Sequence, residues 1–162
     1  MNTQKKNYIV ASAFSSAGIG MQGYKDAGFT PAFALEKNEQ AAAIFDANHR
    51  YIDGSSIMNV KDVNDISGSD ILDFIEQKTG SRVVHLFEQG PSCQDYTKLN
   101  TVGTDRGLRE LMLKAIKLVG EVAPLTAVIE EVPEFLNEKN KDISDEYFEI
   151  AKGMNYYSAY MV

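Results

Sequence analysis

The chain has 162 residues, 44% of them apolar and 24% charged, which is the bulk profile of one globular domain with a substantial core. No apolar run approaches the roughly 18 residues a membrane span needs, and the apolar stretch in the N-terminal MNTQKKNYIV is too short for a signal peptide. The formal net charge of −7 argues against broad phosphate binding by this chain alone, and the single cysteine, Cys93, excludes an internal disulfide and suits a reducing cytoplasm.

Strand-like and helix-like stretches alternate along the chain. Apolar runs fall at 7–14, 32–36, 57–60, 82–88, 125–130 and 156–162. The first run leads into FSSAGIGMQGYKDAGF, residues 14–29, where Gly18-Ile19-Gly20-Met21-Gln22-Gly23 spells G-x-G-x-x-G. An acid, Glu36, lies 18 residues beyond Gly18. Strand, glycine turn, helix and ribose-binding acid suit a nicotinamide site, and equally another adenosine-bearing cofactor. The segment AFALE after Pro31 and the segment RVVHLF read as buried strands. Between them, NEQAAAIFDANH opens on Asn38 as a helix cap, and SDILDFIEQKTG opens on Ser69 and stops at Gly80. In 107–122, Leu108, Leu111, Met112, Ala115, Val119 and Val122 share one helical face. Ser144, with Asp145 and Glu146, starts a further helix ending at Gly153, and YYSAYMV closes the chain as a strand. The alternation predicts an α/β domain over 1–162, a parallel sheet with helices on both faces.

Two stretches carry chemistry. GPSCQDYT follows the strand RVVHLF, so Cys93 falls on a loop just past a strand's carboxyl end, where open parallel sheets bind ligands. A lone cysteine is more often a buried structural residue. Here the neighbours Gln94, Asp95 and Thr97 are polar, and Gly-Pro-Ser is poor core material. In AVIEEVPEFL, Glu130 and Glu131 end an apolar strand just before Pro133, which brings Glu130 to the same sheet edge. A nicotinamide enzyme needs neither group.

Taken in order, these segments resemble the DNA cytosine-5 methyltransferases of bacterial and phage type. FSSAGIGMQGYKDAGF resembles the opening loop that carries S-adenosyl-L-methionine, with Phe14, Ser15, Ala17, Gly18 and Ile19 around the cofactor. ALEKNEQAAAIFDANH is similar to the next strand and helix, which implies Glu36 on the ribose hydroxyls with Lys37 beside it. IMNVKDV is similar to the adenine-contacting segment, implying roles for Asn59 and Val60. GPSCQDYT is similar to the nucleophile loop, with Pro91 next to the cofactor, and Leu111 matches a cofactor-contacting leucine. IEEVPEFL is similar to the Glu-Asn-Val strand end. Against the family pattern, Ser16 stands for glycine, Asn59 for aspartate, Ser92 for proline and Glu131 for asparagine.

The resemblance implies Cys93 as the nucleophile at carbon 6 of a flipped-out cytosine and Glu130 as the acid at ring nitrogen 3. Strand alternation turns Glu131 the other way. It implies double-stranded DNA as substrate and no metal or membrane partner. The family's Gln-x-Arg-x-Arg segment, recognition region and closing helix have no match in these residues. The chain is therefore expected to be inactive alone, with a complementary polypeptide or a longer natural chain supplying those parts. Two other readings stand beside this one: a non-catalytic remnant that at most binds cofactor, and a nicotinamide-dependent oxidoreductase.

Overall fold

The computed structural model describes residues 7–92 and 109–161. Five strands form one parallel sheet: β1 (Tyr8–Ala13), β2 (Phe29–Glu36), β3 (Met58–Val60), β4 (Leu86–Gln89) and β5 (Thr126–Ile129). Their order across the sheet is β3-β2-β1-β4-β5, so the winding reverses between β1 and β4. In sheets of this kind the crevice at the carboxyl ends of those two strands is the natural ligand site.

Alternation along the strands sorts side chains to two faces. Val10, Ala34 and Leu86 meet α1 (Ile19–Asp26) and α2 (Glu39–Asn48) through Met21 and Phe45. On the opposite face, Ile9, Ala11, Phe33 and Phe87 meet α3 (Gly68–Thr79), α4 (Arg109–Val122) and α5 (Lys141–Gly153) through Ile71, Ile75, Ile116, Val119 and Ala151. Both faces are thereby covered, as an all-parallel sheet requires. The apolar face expected on residues 107–122 is the buried one: Met112, Ala115, Val119 and Val122 are each at most 3% exposed. Leu108 lies outside the described residues.

Three local expectations change. The third helix is capped by Ser67 rather than Ser69. Ser67 Oγ accepts from Asp70 N, and the Asp70 carboxylate accepts from Ser67 N at 2.9 Å, a reciprocal capping box that outcompetes a single hydroxyl two residues later. The last helix starts at Lys141, and Ser144 sits inside it, its hydroxyl donating back to the Lys141 carbonyl. The run 156–161 is no strand. Tyr156 is anchored to the Pro124 carbonyl at 2.5 Å, and Tyr160 packs against Phe148 of α5 with ring centroids 6.3 Å apart. The segment pairs with none of the five strands, and Tyr157 and Met161 are almost fully exposed.

Candidate active site

At the end of β1 the chain turns sharply. Phe14 (φ 59°), Ser16 (φ 47°) and Gly18 (φ 87°) are all left-handed, a conformation that costs an L side chain roughly 1–2 kcal/mol. Hydrogen bonds hold the turn against that cost. Ser15 N donates to the Leu35 carbonyl at 3.0 Å, Leu35 N donates to Ser15 Oγ at 3.2 Å, and Ser15 Oγ donates to the Ser12 carbonyl at 3.1 Å. Gly18 N closes the turn on the Ser15 carbonyl at 3.0 Å. Glu36, at the end of β2, accepts from Ser16 N at 2.9 Å with one carboxylate oxygen and from Asn38 N at 2.8 Å with the other. The turn and the start of α2 are thus tied through one acidic side chain.

Beside this turn opens a cavity of about 360 Å³, within the usual range for small-molecule sites. Phe14, Leu35, Val63 and Leu111 supply its apolar walls, and Glu36, Lys37, Lys61 and Asp62 its charged ones. Gly90 and Ser92, just past β4, complete the lining. Lys37 Nζ stands 3.6 Å from Asp62 Oδ2. The Asn64 backbone N–H first, then the Lys37 charge and side-chain hydrogen bonds with Lys37 and Asn64, hold the Asp62 carboxyl below its ordinary range against the opposing effect of burial.

The cavity gathers four of the cofactor residues expected from sequence, Phe14, Glu36, Lys37 and Leu111. It leaves the others outside its lining. Ser15 is spent on the backbone of the turn. Ala17 does not line the cavity, Ile19 is 87% exposed on α1, and Pro91 is buried. Asn59 donates its amide to the Ala34 and Ile57 carbonyls, each at 3.3 Å, and Val60 faces solvent. Lys61 and Asp62, two to three residues further on, take the lining position instead. Gly18 needs its missing side chain for an internal reason. A Cβ there would sit 2.5 Å from His49 Cδ2 and 2.7 Å from Phe45 Cδ2.

Three carboxyl groups converge near the carboxyl ends of β4 and β5. Glu130 follows β5, its N–H donating to the Gln89 carbonyl at 2.9 Å. Its Oε2 comes within 3.9 Å of where a Gly90 Cβ would lie, at the rim of the cavity. Glu88 accepts a short hydrogen bond from Ser12 Oγ. Burial pushes its carboxyl up, the Ser12 bond opposes, and the Glu130 charge adds to the rise. Glu131 differs from its neighbour: Oε2 accepts from Val132 N at 2.8 Å, while Oε1 is buried without a partner. Burial pushes Glu131 up to about 7, with the Glu130 charge contributing in the same direction. Cys93 lies outside the described residues, and Ser92, its predecessor in the chain, lines the cavity. Among the described residues no three His, Cys, Asp or Glu side chains are arranged to hold a metal ion.

A parallel sheet with helices on both faces, and a cavity at its switch point bounded by a tight turn and an acidic strand end, defines a Rossmann-like α/β domain with a ligand crevice. Residues 8–162 match the family model of the C-5 cytosine-specific DNA methylases, and the chain belongs to that family. A DNA modification methyltransferase encoded within a prophage of E. coli shares the fold, with a TM-score of 0.74 at 24% identity over 91% of this chain and 38% of its own. The chain thus spans well under half the length of that structure. The plantazolicin methyltransferase BpumL, in complex with S-adenosylhomocysteine, aligns at 8% identity over 94% of this chain and 55% of its own, with a TM-score of 0.47. Among curated proteins none matches. Membership of the methylase family sets aside the nicotinamide reading of the glycine turn.

Proposed function

We propose that this chain carries the cofactor-binding and catalytic portion of a DNA cytosine-5 methyltransferase, acting on a cytosine flipped out of double-stranded DNA. The observation that carries the reading is the cavity at the β1/β4 switch point, with Glu36 on one wall and Glu130 reaching its Gly90 rim. The residues present fit S-adenosyl-L-methionine. Phe14, Leu35 and Leu111 offer apolar surface for an adenosine, and Asp62 is an acceptor within the lining. Glu36 already accepts two N–H bonds, but an ionised carboxylate has about four acceptor positions, so it retains capacity for ribose hydroxyls.

Cytosine carbon 5 is a poor nucleophile until a group adds at carbon 6. Cys93 supplies that group as a thiolate, which is both a good nucleophile and a good leaving group. As the carbon–sulfur bond forms, negative charge moves to ring nitrogen 3, and Glu130 donates a proton there. Carbon 5 becomes enamine-like and takes a methyl group. S-adenosyl-L-methionine, when bound, supplies that methyl in electrophilic form. Loss of the carbon 5 proton to water then expels the Cys93 thiolate, and ring nitrogen 3 returns its proton to the Glu130 carboxylate, which restores the ring. The target base is inaccessible inside a duplex, and extruding it costs roughly a few kcal/mol. The net charge of −7 supports weak engagement of DNA by this chain alone.

Calorimetry tests the cofactor: S-adenosylhomocysteine should bind in preference to NADH, and NADH binding without S-adenosylhomocysteine binding would overturn the reading. With S-adenosyl-L-methionine and the missing segments supplied, duplex containing 5-fluorocytosine tests the nucleophile, because fluorine at carbon 5 blocks the final elimination. Mass spectrometry should place the trapped adduct on Cys93. A crosslink elsewhere, or trapping that survives Cys93→Ala, refutes the role.

A further inference from the structure

We propose that His49 is a positioning residue for the cofactor-binding turn: lying behind the cavity, its imidazole braces Gly18 and holds residues 14–18 in the shape that walls the site. This rests on the reading of that cavity as an adenosyl-cofactor site.

The contact is tight. His49 is 3% exposed, at the end of α2, and its ring packs on Phe45 with centroids 4.7 Å apart. The space where a Gly18 side chain would stand is filled by His49 Cδ2 at 2.5 Å, His49 Nε2 at 2.7 Å and Phe45 Cδ2 at 2.7 Å. Gly18 also opens α1 and closes the turn on Ser15. The turn carries two left-handed non-glycine residues, Phe14 and Ser16, which line the cavity. A backbone so strained keeps its shape only where its surroundings over-determine it. On the cavity side Glu36 supplies a tie; on the far side His49 does.

The polar contacts specify how the ring is held. His49 Nδ1 is 3.5 Å from Lys25 Nζ, which also donates to the Asn48 carbonyl at 3.2 Å. An ammonium group can only donate, so Nδ1 must be the acceptor and Nε2 must carry the proton. The Gly18 backbone is the partner on that side of the ring. The neutral ring thus bridges Lys25 to Gly18. Burial, then the Lys25 charge, hold the imidazole below its ordinary range, with the Gly18 backbone bond opposing in part. The other charges near it, Asp46 and Arg50, are paired with one another at 2.5 Å. A proton arriving on Nδ1 would set two cations 3.5 Å apart in a buried place. The bracing is therefore present above the ordinary imidazole range and is lost as pH falls through the lowered value.

The test titrates S-adenosylhomocysteine calorimetrically into the 162-residue chain between about pH 5 and 8, for wild type, His49→Gln and Lys25→Met. NMR of the imidazole carbons follows His49 in the same samples. Wild-type affinity should fall on acidification by roughly tenfold. His49→Gln should bind several-fold more weakly at neutral pH and lose the pH step. Lys25→Met, which removes the charge beside Nδ1, should move the His49 midpoint upward and carry the pH step of binding with it. A folded His49→Gln protein that binds as wild type with its pH step intact overturns the proposal, as does a His49 midpoint unmoved by Lys25→Met. Failure of wild type to bind at any pH would instead overturn the cofactor reading, and the proposal would fall with it.

Discussion

Gly18→Ala adds one methyl group at the most constrained point of the cofactor turn. Gly18 has φ 87°, so alanine there pays the left-handed penalty of roughly 1–2 kcal/mol. The new Cβ would also stand 2.5 Å from His49 Cδ2 and 2.7 Å from Phe45 Cδ2. Neither ring has room to retreat, since Phe45 is fully buried and His49 nearly so. Overpacking of that kind costs about 1–3 kcal/mol. The sum, about 2–5 kcal/mol, is a large part of the roughly 5–15 kcal/mol that holds a domain folded. At about 2–4 °C per kcal/mol for a chain of this size, the melting temperature should fall by roughly 4–20 °C. Gly23→Ala is the control. Gly23 lies within α1, nothing stands within 4 Å of its Cβ position, and alanine there should stabilise by up to about 1 kcal/mol. Thermal melts followed by circular dichroism read both. If Gly18→Ala melts with the wild type, or if the two variants shift alike, the claim that His49 and Phe45 occupy the Gly18 side-chain space is wrong.

Glu131 is pushed up to about 7 by burial, so folding takes up a proton between the ordinary carboxyl range and about pH 7. Stability should therefore decline as pH rises through that window, by about 1–2 kcal/mol after allowance for solvent screening, and Glu131→Gln should abolish the slope and leave the protein more stable at alkaline pH. Urea midpoints at acid and alkaline pH measure it; an unchanged slope in the variant counts against a buried Glu131. Glu36→Ala removes acceptors from both Ser16 N and Asn38 N, so S-adenosylhomocysteine affinity should drop by about tenfold or more while the melting temperature falls only a few degrees. Undiminished affinity in that variant would detach Glu36 from the cofactor.

The strands were legible because each carries a compact apolar run beside a turn signal, and the runs at 7–14, 32–36, 57–60, 82–88 and 125–130 all hold sheet residues. Asn38 was legible as a cap for the same local reason, and its side chain accepts from Gln40 N and Ala41 N. The sixth run, 156–162, has the same composition and a different fate. Its residues bind a carbonyl at Pro124 and a ring on α5, partners 32 and 12 residues away, and no pattern within the run encodes either. Ser69 and Ser144 were misread at a finer scale. Ser69 loses to Ser67, whose advantage is the reciprocal bond with Asp70, while the last helix begins three residues before Ser144, after an Asn140 that makes no side-chain cap bond.

The glycine turn marks where local reading stops. G-x-G-x-x-G announces that a backbone must pass close to something, and that much is correct at Gly18. The motif does not say what approaches. The surface facing the cavity comes instead from Phe14 and Ser16 on the other side of the same turn. The atoms nearest the Gly18 Cβ position belong to His49 and Phe45, which arrive from α2 some 30 residues later in the chain. Phe45 reads as an ordinary core residue and His49 as an ordinary helix end, because nothing in NEQAAAIFDANH predicts that its last turn lies against the first glycine. Asn59 and Val60, expected beside the adenine, likewise stand outside the cavity lining, which Lys61 and Asp62 join. Asn59 is still on β3, where its amide serves the sheet, and only past Val60 does the chain leave the strand and bend over the site. Strand ends therefore locate the site to within two or three residues, and the last step depends on which way the chain turns after the final ladder bond.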